Sequence, residues 1–282
     1  MDVISLQSRV KSGYVGNAVA VPVLNATGAT ARPVDSVVYA HHPGHGPVTP
    51  SVTPLGELSA RLEDTLTQCA KPAVFLSGYL ANAAQGRATL EFLVRARTAG
   101  RIQDYHLDPV FGDDAEGTYV DPSLVGFFRD EAIPQCTVLL PNRYELSVLG
   151  DTPVDTVADA MRTAVSLMQR GPKIVLASSI PAAGSRLANV LVTEQGGFVT
   201  ETPKLPLRAK GTGDMLSAAF TGLFSDGMDA SRAMALSVAV VDETAAAASA
   251  ANASELDLSN VLEVLNLKRA QAASVQPIES LE

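Results

Sequence analysis

Ala73-Val74-Phe75-Leu76-Ser77, then a helical pattern over 84–99, then Ile102-Gln103-Asp104-Tyr105-His106-Leu107 form the unit on which the fold turns. An apolar run as short as 73–77 reads as a strand buried on both faces. Strand, helix, strand in that order is the crossover that joins parallel neighbours. The alternation continues outward. Val3–Leu6 and Ser36–Tyr39 read as strands upstream, Val138–Leu140 and Ile174–Ala177 as strands downstream. Helical patterns lie near 14–26, 54–69, 121–131 and 155–169, and again at about 212–225, 229–250 and 257–267. Leu187–Thr193 and Phe198–Glu201 flank Glu194-Gln195-Gly196-Gly197, a hairpin signal. The expectation is an α/β fold with a mostly parallel sheet covered by helices on both faces.

The chain has 282 residues, 46% of them hydrophobic, enough for one large α/β domain with its own core. That domain is expected over 1–268, with 269–282 as a frayed tail. The net charge of −9 is spread along the chain, and no Lys/Arg cluster marks a nucleic-acid or membrane surface. Cys69 and Cys136 form no CxxC, so neither zinc nor a disulfide framework is expected, and a reducing cytoplasm fits. The N-terminal residues lack the pattern of a signal peptide. No apolar run is expected to reach membrane-spanning length.

Lys210-Gly211-Thr212-Gly213-Asp214 opens the apolar run of the 212–225 helix. Two glycines allow a tight turn and close approach of a ligand. The free N–H groups and positive dipole end of the helix then favour an anion such as phosphate. Asp214 makes sense beside a phosphate if it faces a hydroxyl that must lose a proton. Anion hole plus base is what phosphoryl transfer to an alcohol needs. The same residues also make a good helix cap.

Other candidates fall after the expected strands, where open α/β sheets bind ligands. These are Ser8, Tyr79, Asp108, Asn142 and Ser178. Asp108 and Asp113 place two carboxylates in one turn, able to hold Mg²⁺ directly or through water. Asn142 and Glu145 share a face of a starting helix and also match a capping box. The loop Gln7–Asn17 lacks Walker A spacing. His41, His42 and His45 are read as a glycine-rich loop facing solvent or ligand rather than a metal site, because no acidic or thiol partner lies nearby in sequence. Such a loop suits a lid, as does 112–120.

With these residues collected, the chain resembles the pyridoxal kinases of the ribokinase-like superfamily over about residues 1–265. The resemblance is carried by Gln7-Ser8-Arg9-Val10 through Gly13-Tyr14-Val15-Gly16-Asn17, then Ser77-Gly78-Tyr79, Asp108-Pro109-Val110, Pro141-Asn142-x-x-Glu145 and Gly211-Thr212-Gly213-Asp214. It implies a three-layer α/β/α sandwich, usually a homodimer, that phosphorylates a vitamin B6 compound with ATP. Ser8, Val15, Tyr39, His42, Pro43 and Tyr79 would line the vitamer pocket. Asp108, Asp113, Asn142, Glu145, Ser178 and Ser179 would face ATP, with Asp108 and Glu145 towards Mg²⁺. Gly211, Thr212 and Gly213 would form the anion hole, and Asp214 would be the catalytic base for the 5′-hydroxyl.

The chain departs from the family pattern at Pro43, where Thr is common, at Arg9, where His is common, and at Leu140, where a small residue often precedes Pro-Asn. The last bears on a monovalent-cation site. A kinase for a hydroxymethylpyrimidine or a sugar, and a non-catalytic vitamin or nucleotide binder, stand as alternatives. A dinucleotide oxidoreductase is disfavoured, because no Gly-x-Gly-x-x-Gly follows the first strand.

Overall fold

The computed structural model describes residues 1–259, 261, 263–265 and 276–278. Strands β1 (Asp2–Val10), β2 (Thr30–Tyr39) and β3 (Ser51–Val52) are joined by helix α1 (Asn17–Thr27) and a single 3₁₀ turn, Pro43–His45. Then follow α2 (Leu55–Thr67), β4 (Ala73–Ser77), α3 (Ala83–Thr98) and β5 (Ile102–Leu107). A small hairpin, β6 (Gly112–Asp113) and β7 (Gly117–Thr118), precedes α4 (Ser123–Phe127), β8 (Val138–Leu139), α5 (Arg143–Gly150) and α6 (Val157–Met168). The chain continues through β9 (Ile174–Ala182), β10 (Arg186–Thr193), β11 (Gly196–Pro203), α7 (Thr212–Ser225), α8 (Ala230–Ala250) and β12 (Gln276–Ile278).

The main sheet has ten strands in the order β12-β11-β10-β9-β8-β5-β4-β1-β2-β3. From β9 to β2 every neighbouring pair is parallel, and the strands outside that run pair antiparallel. Successive strand residues face opposite layers. Ile4, Phe75, Leu139 and Val175 pack with α2 to α6 on one side. Val3, Val74, Val138 and Ile174 pack with α1, α7 and α8 on the other. Three layers result, as expected.

Two strands run further than their apolar stretches suggest. β1 continues to Val10, so Ser8 lies within the strand rather than after it, where the register against β2 shifts between Gln7 and Arg9. β9 continues to Ala182, so Ser178 and Ser179 are also strand residues, at a register shift against β10. In both cases the neighbouring strand supplies hydrogen-bond partners past the end of the apolar run. The helix expected over 121–131 divides into α4 and a π-helical turn, Phe128–Ala132.

One expectation about apolar runs needs correction. Over its 21 residues α8 is long and apolar enough to cross a membrane, with a mean hydropathy of 1.3 in its richest window. Its composition reflects close packing instead: Ala233, Met234, Leu236, Val238 and Val240 are buried in the layer shared with α7. Of the helix expected at 257–267, residues 261 and 263–265 are helical and the others lie outside the described residues or precede the helix. Within the expected frayed tail, Gln276–Ile278 pair with Gly197–Val199 of β11; the rest of 269–282 lies outside the described residues.

Candidate active site

The turn before α7 takes its shape from Gly211, which sits at φ 97° and ψ 3°. A Cβ there would lie 2.1 Å from the Tyr14 carbonyl oxygen, so any other residue would meet both a left-handed backbone and a neighbouring chain. Val15 lies against the same glycine. Met215 N donates to Gly211 O at 2.9 Å and starts the helical ladder. The N–H groups of Thr212, Gly213 and Asp214 therefore have no acceptor within the helix. The space beside Gly213 is open.

Asp214 stands in the first turn of α7, partly open to the cleft. Gly16 N donates to its Oδ2 at 2.8 Å, which fixes one carboxylate oxygen. Gly16 is itself held against Ser8: a Cβ on it would fall 2.1 Å from Ser8 O and 2.6 Å from Ser8 Oγ. Ser8, Gly16 and Asp214 thus form one contact group drawn from β1, the start of α1 and α7. Burial pushes the Asp214 pKa up to about 6, against the pull of the Gly16 hydrogen bond.

Two further carboxylates lie at the same strand ends. Asp108 is buried after β5 and accepts from Ser217 Oγ at 2.7 Å. Glu145 is buried in the first turn of α5, where it accepts from Asn142 N at 2.9 Å and Phe111 N at 3.1 Å. Asn142 Oδ1 accepts from Glu145 N at 2.9 Å, so the expected capping box is formed. Burial raises both carboxyl pKa values; Asp214 raises that of Asp108 further, and Asp108 that of Glu145. Asn142 Nδ2 reaches Gly112 O at 2.8 Å, and Asn142 forms a parallel bridge to Ser178. Ser179 follows in the left-handed region, at φ 63°.

The opposite side of the cleft is aromatic. The hydroxyls of Tyr39 and Tyr79 lie 3.2 Å apart, with rings edge to face at 6.4 Å between centroids. Burial, and then the Tyr79 hydroxyl, raise the Tyr39 pKa. Ser36 Oγ fixes the Tyr79 carbonyl at 2.6 Å. His42 caps the Pro43–His45 turn, its Nδ1 accepting from Gly44 N at 3.0 Å. Pro43 is exposed at the start of that turn. His45 Nδ1 lies 3.3 Å from Glu255 Oε1, an acidic partner brought from the far end of the chain. Arg9 spends its charge on Asp35 at 2.8 Å, and Leu140 packs in the apolar layer with α1 and α7.

Asp113 falls to one side of the other acids. Its Oδ1 accepts from Ala115 N and Glu116 N, shaping the β6–β7 turn, and its Oδ2 is 3.7 Å from Lys210 Nζ. Among the described residues no three His, Cys, Asp or Glu side chains converge as a metal cage. Asp108 and Glu145 still fit a hard divalent cation, being buried oxygen donors whose mutual repulsion a cation relieves. Sequence reasoning missed Ser217 and the Gly16 amide. Ser217 was within reach, since it lies three residues after Asp214 on one helix face.

The family model described as phosphomethylpyrimidine kinase matches residues 57–258. A pyridoxal kinase of Granulibacter bethesdensis is 36% identical over 244 residues, covering 83% of this chain and 85% of the relative. The chain belongs to the pyridoxal kinase family. Among solved structures, the pyridoxal kinase of Leishmania donovani in complex with ADP and pyridoxine superposes with a TM-score of 0.86 at 25% identity, covering 99% of each chain. A putative phosphomethylpyrimidine kinase from Bacteroides thetaiotaomicron gives 0.88 at 22% identity, covering 98% of this chain and 97% of the other. The second likeness establishes the fold, which is the ribokinase-like sandwich expected. The kinase family membership rests on the sequence relatives.

Proposed function

We propose that this kinase transfers the γ-phosphoryl group of ATP to the 5′-hydroxymethyl group of pyridoxal, giving pyridoxal 5′-phosphate, with pyridoxine and pyridoxamine as further acceptors. The observation that carries the reading is the Asp214 carboxylate, fixed by Gly16 N beside Ser8 at the N-terminus of α7. A carboxylate with a pKa raised to about 6 is ionised at neutral pH and is a better proton acceptor than an exposed one.

In this reading Ser8, Val15, Tyr39, His42, Pro43 and Tyr79 form the vitamer side, and the Tyr39–Tyr79 edge offers hydroxyls to a polar ring. Asp108, Asn142, Glu145, Ser178 and Ser179 form the nucleotide side, with Asp113 contributing through the shape of its hairpin. Asp214 takes the proton as the acceptor oxygen attacks. The amides of Thr212, Gly213 and Asp214 stabilise charge on the transferring group. Mg²⁺ held by Asp108 and Glu145 would neutralise phosphate charge at the nucleotide. Leu140 offers no side-chain oxygen to a monovalent cation. One domain over 1–268, a homodimer and a cytoplasmic setting, consistent with the two buried free thiols, complete the reading.

The test is ATP-dependent phosphorylation of pyridoxal, pyridoxine, pyridoxamine, hydroxymethylpyrimidine and ribose with Mg²⁺, read by product mass. A phosphorylated pyridine alcohol is expected. The match to a phosphomethylpyrimidine kinase model favours hydroxymethylpyrimidine as the second candidate. Nucleotide binding without product from any compound would overturn the catalytic reading.

A further inference from the structure

β1 and β2 run side by side towards the vitamer side of the cleft, and their backbone pairing stops short of the loops that follow. The last rungs are Lys11 N to Tyr39 O at 2.9 Å and Ser12 N to Ala40 O at 3.0 Å. Past them the two chains part. One becomes the loop 13–16, whose Gly16 amide fixes Asp214. The other becomes the glycine-rich loop 41–46. No residue of 41–46 is buried, so packing alone does not hold that loop in place. Its hydrogen bonds from Gly44 N to His42 Nδ1 and from His45 N to His42 O shape it internally.

Glu255, in the segment after α8, reaches both loops. Its Oε2 accepts from Tyr14 N at 3.2 Å, and its Oε1 lies 3.3 Å from His45 Nδ1. The approach depends on Gly13, which sits at φ 95°: a Cβ there would fall 2.5 Å from Glu255 Oε2. One carboxylate oxygen on each loop makes a two-ended tie where the backbone ladder has ended. The His45 ring in turn stands edge to face with His42, 5.8 Å between centroids, and His42 belongs to the vitamer side. A loop held in place beforehand spares the substrate the cost of ordering it.

We infer that Glu255 is a positioning residue for the acceptor alcohol, its carboxylate tying loop 41–46 to loop 13–16 so that the vitamer side and the amide that orients Asp214 are set together. This rests on the pyridoxal kinase reading. Glu255 acts through His45 and the Tyr14 amide.

The test separates the two ends of the tie. KM and kcat are measured for pyridoxal and for ATP with the full chain. Glu255→Ala removes both ends and should raise KM for pyridoxal about tenfold, the size of one charge-assisted hydrogen bond, with KM for ATP within about twofold. His45→Ala removes one partly exposed end and should raise KM for pyridoxal about threefold. Glu255→Gln keeps an acceptor for Tyr14 N without the charge facing His45, and should match His45→Ala. The two side chains share one contact, so Glu255→Ala combined with His45→Ala should be no worse than Glu255→Ala alone. A role in stability alone would lower Tm without this pattern. An unchanged KM for pyridoxal in Glu255→Ala, an equal rise for ATP, or additive effects in the double variant would overturn the inference. Should Glu255→Ala fail to fold, His45→Ala and Glu255→Gln decide the matter, and the absence of a matching rise in both would overturn it. Failure of the unmodified protein to phosphorylate pyridoxal would instead reject the reading beneath it.

Discussion

At the floor of the cleft Asp108, Glu145 and Asp214 have no lysine or arginine partner among the described residues, whereas at the rim Asp113, Asp114 and Glu116 each face one. The floor acids are held by amides and a hydroxyl: Gly16 N, Phe111 N, Asn142 N and Ser217 Oγ. Burial raises all three pKa values, and repulsion from a neighbouring carboxylate adds to the rise at Asp108 and Glu145. The rim acids are already neutralised in water. The floor is thus poised to gain from a proton, a cation or a hydroxyl, while the rim must give up a partner before it can engage anything new.

The largest effect should come from removing the floor's base. Asp214→Asn keeps the shape and the Gly16 contact but not the proton acceptor, and turnover should fall by about 10²–10⁴-fold. Nucleotide affinity, measured by calorimetry on the same variant, should be nearly unchanged. Near-normal turnover would erase the distinction between floor and rim.

The next effect is on pH. Asp214 must be ionised to accept a proton, and its pKa is raised to about 6. The pH profile of kcat/KM should therefore rise with an apparent pKa near 6 and lose about tenfold per unit below it. A profile flat down to pH 5 would mean that another group takes the proton.

A smaller effect concerns stability. Asp108 and Glu145 have carboxyl pKa values above their ordinary ones in the folded protein. The sign follows from linkage: the folded state binds protons more tightly than the unfolded one. Their favourable contribution is present at acid pH, below the ordinary carboxylate value, and is lost as pH rises through the raised values. A cation on these oxygens offsets that loss. Millimolar Mg²⁺ should raise Tm more at pH 8 than at pH 5, and Glu145→Gln should shrink the difference. Equal shifts at both pH values would remove the floor as the cation site.

The smallest effect belongs to the rim. Asp114→Asn breaks the pair with Arg143, which retains Asp155 and the Val154 carbonyl. Stability should change by less than about 1 kcal/mol by urea denaturation, as for other exposed pairs.

Most of the floor was legible in the sequence, because each part is local. β4 matches Ala73–Ser77 and α7 matches 212–225, each bounded by a glycine turn or a change in residue type. The capping box of Asn142 and Glu145 is a spacing within one helix turn. Strand ends were less legible. Ser8 and Ser178 sit in polar stretches that a neighbouring strand keeps extended, and no local pattern announces that neighbour. The rim was almost illegible. Lys210 meets Glu116 from 94 residues away, and the Tyr14 amide meets Glu255 from 241. Exposed charges carry no periodicity that would reveal such pairings.

The hydrogen bond from Gly16 to Asp214 also has a meaning in time. It joins residues 198 positions apart, and the acceptor belongs to the helix that follows the last strand of the β9–β11 meander. During synthesis, the parallel strands β1, β2, β4, β5, β8 and β9 emerge before the glycine turn that opens α7. A nascent chain can bring Ser8, Tyr39, Tyr79, Asp108 and Asn142 into place before Asp214 has been made. Competence arrives late, when α7 docks against α1 and brings the carboxylate to an amide made near the beginning.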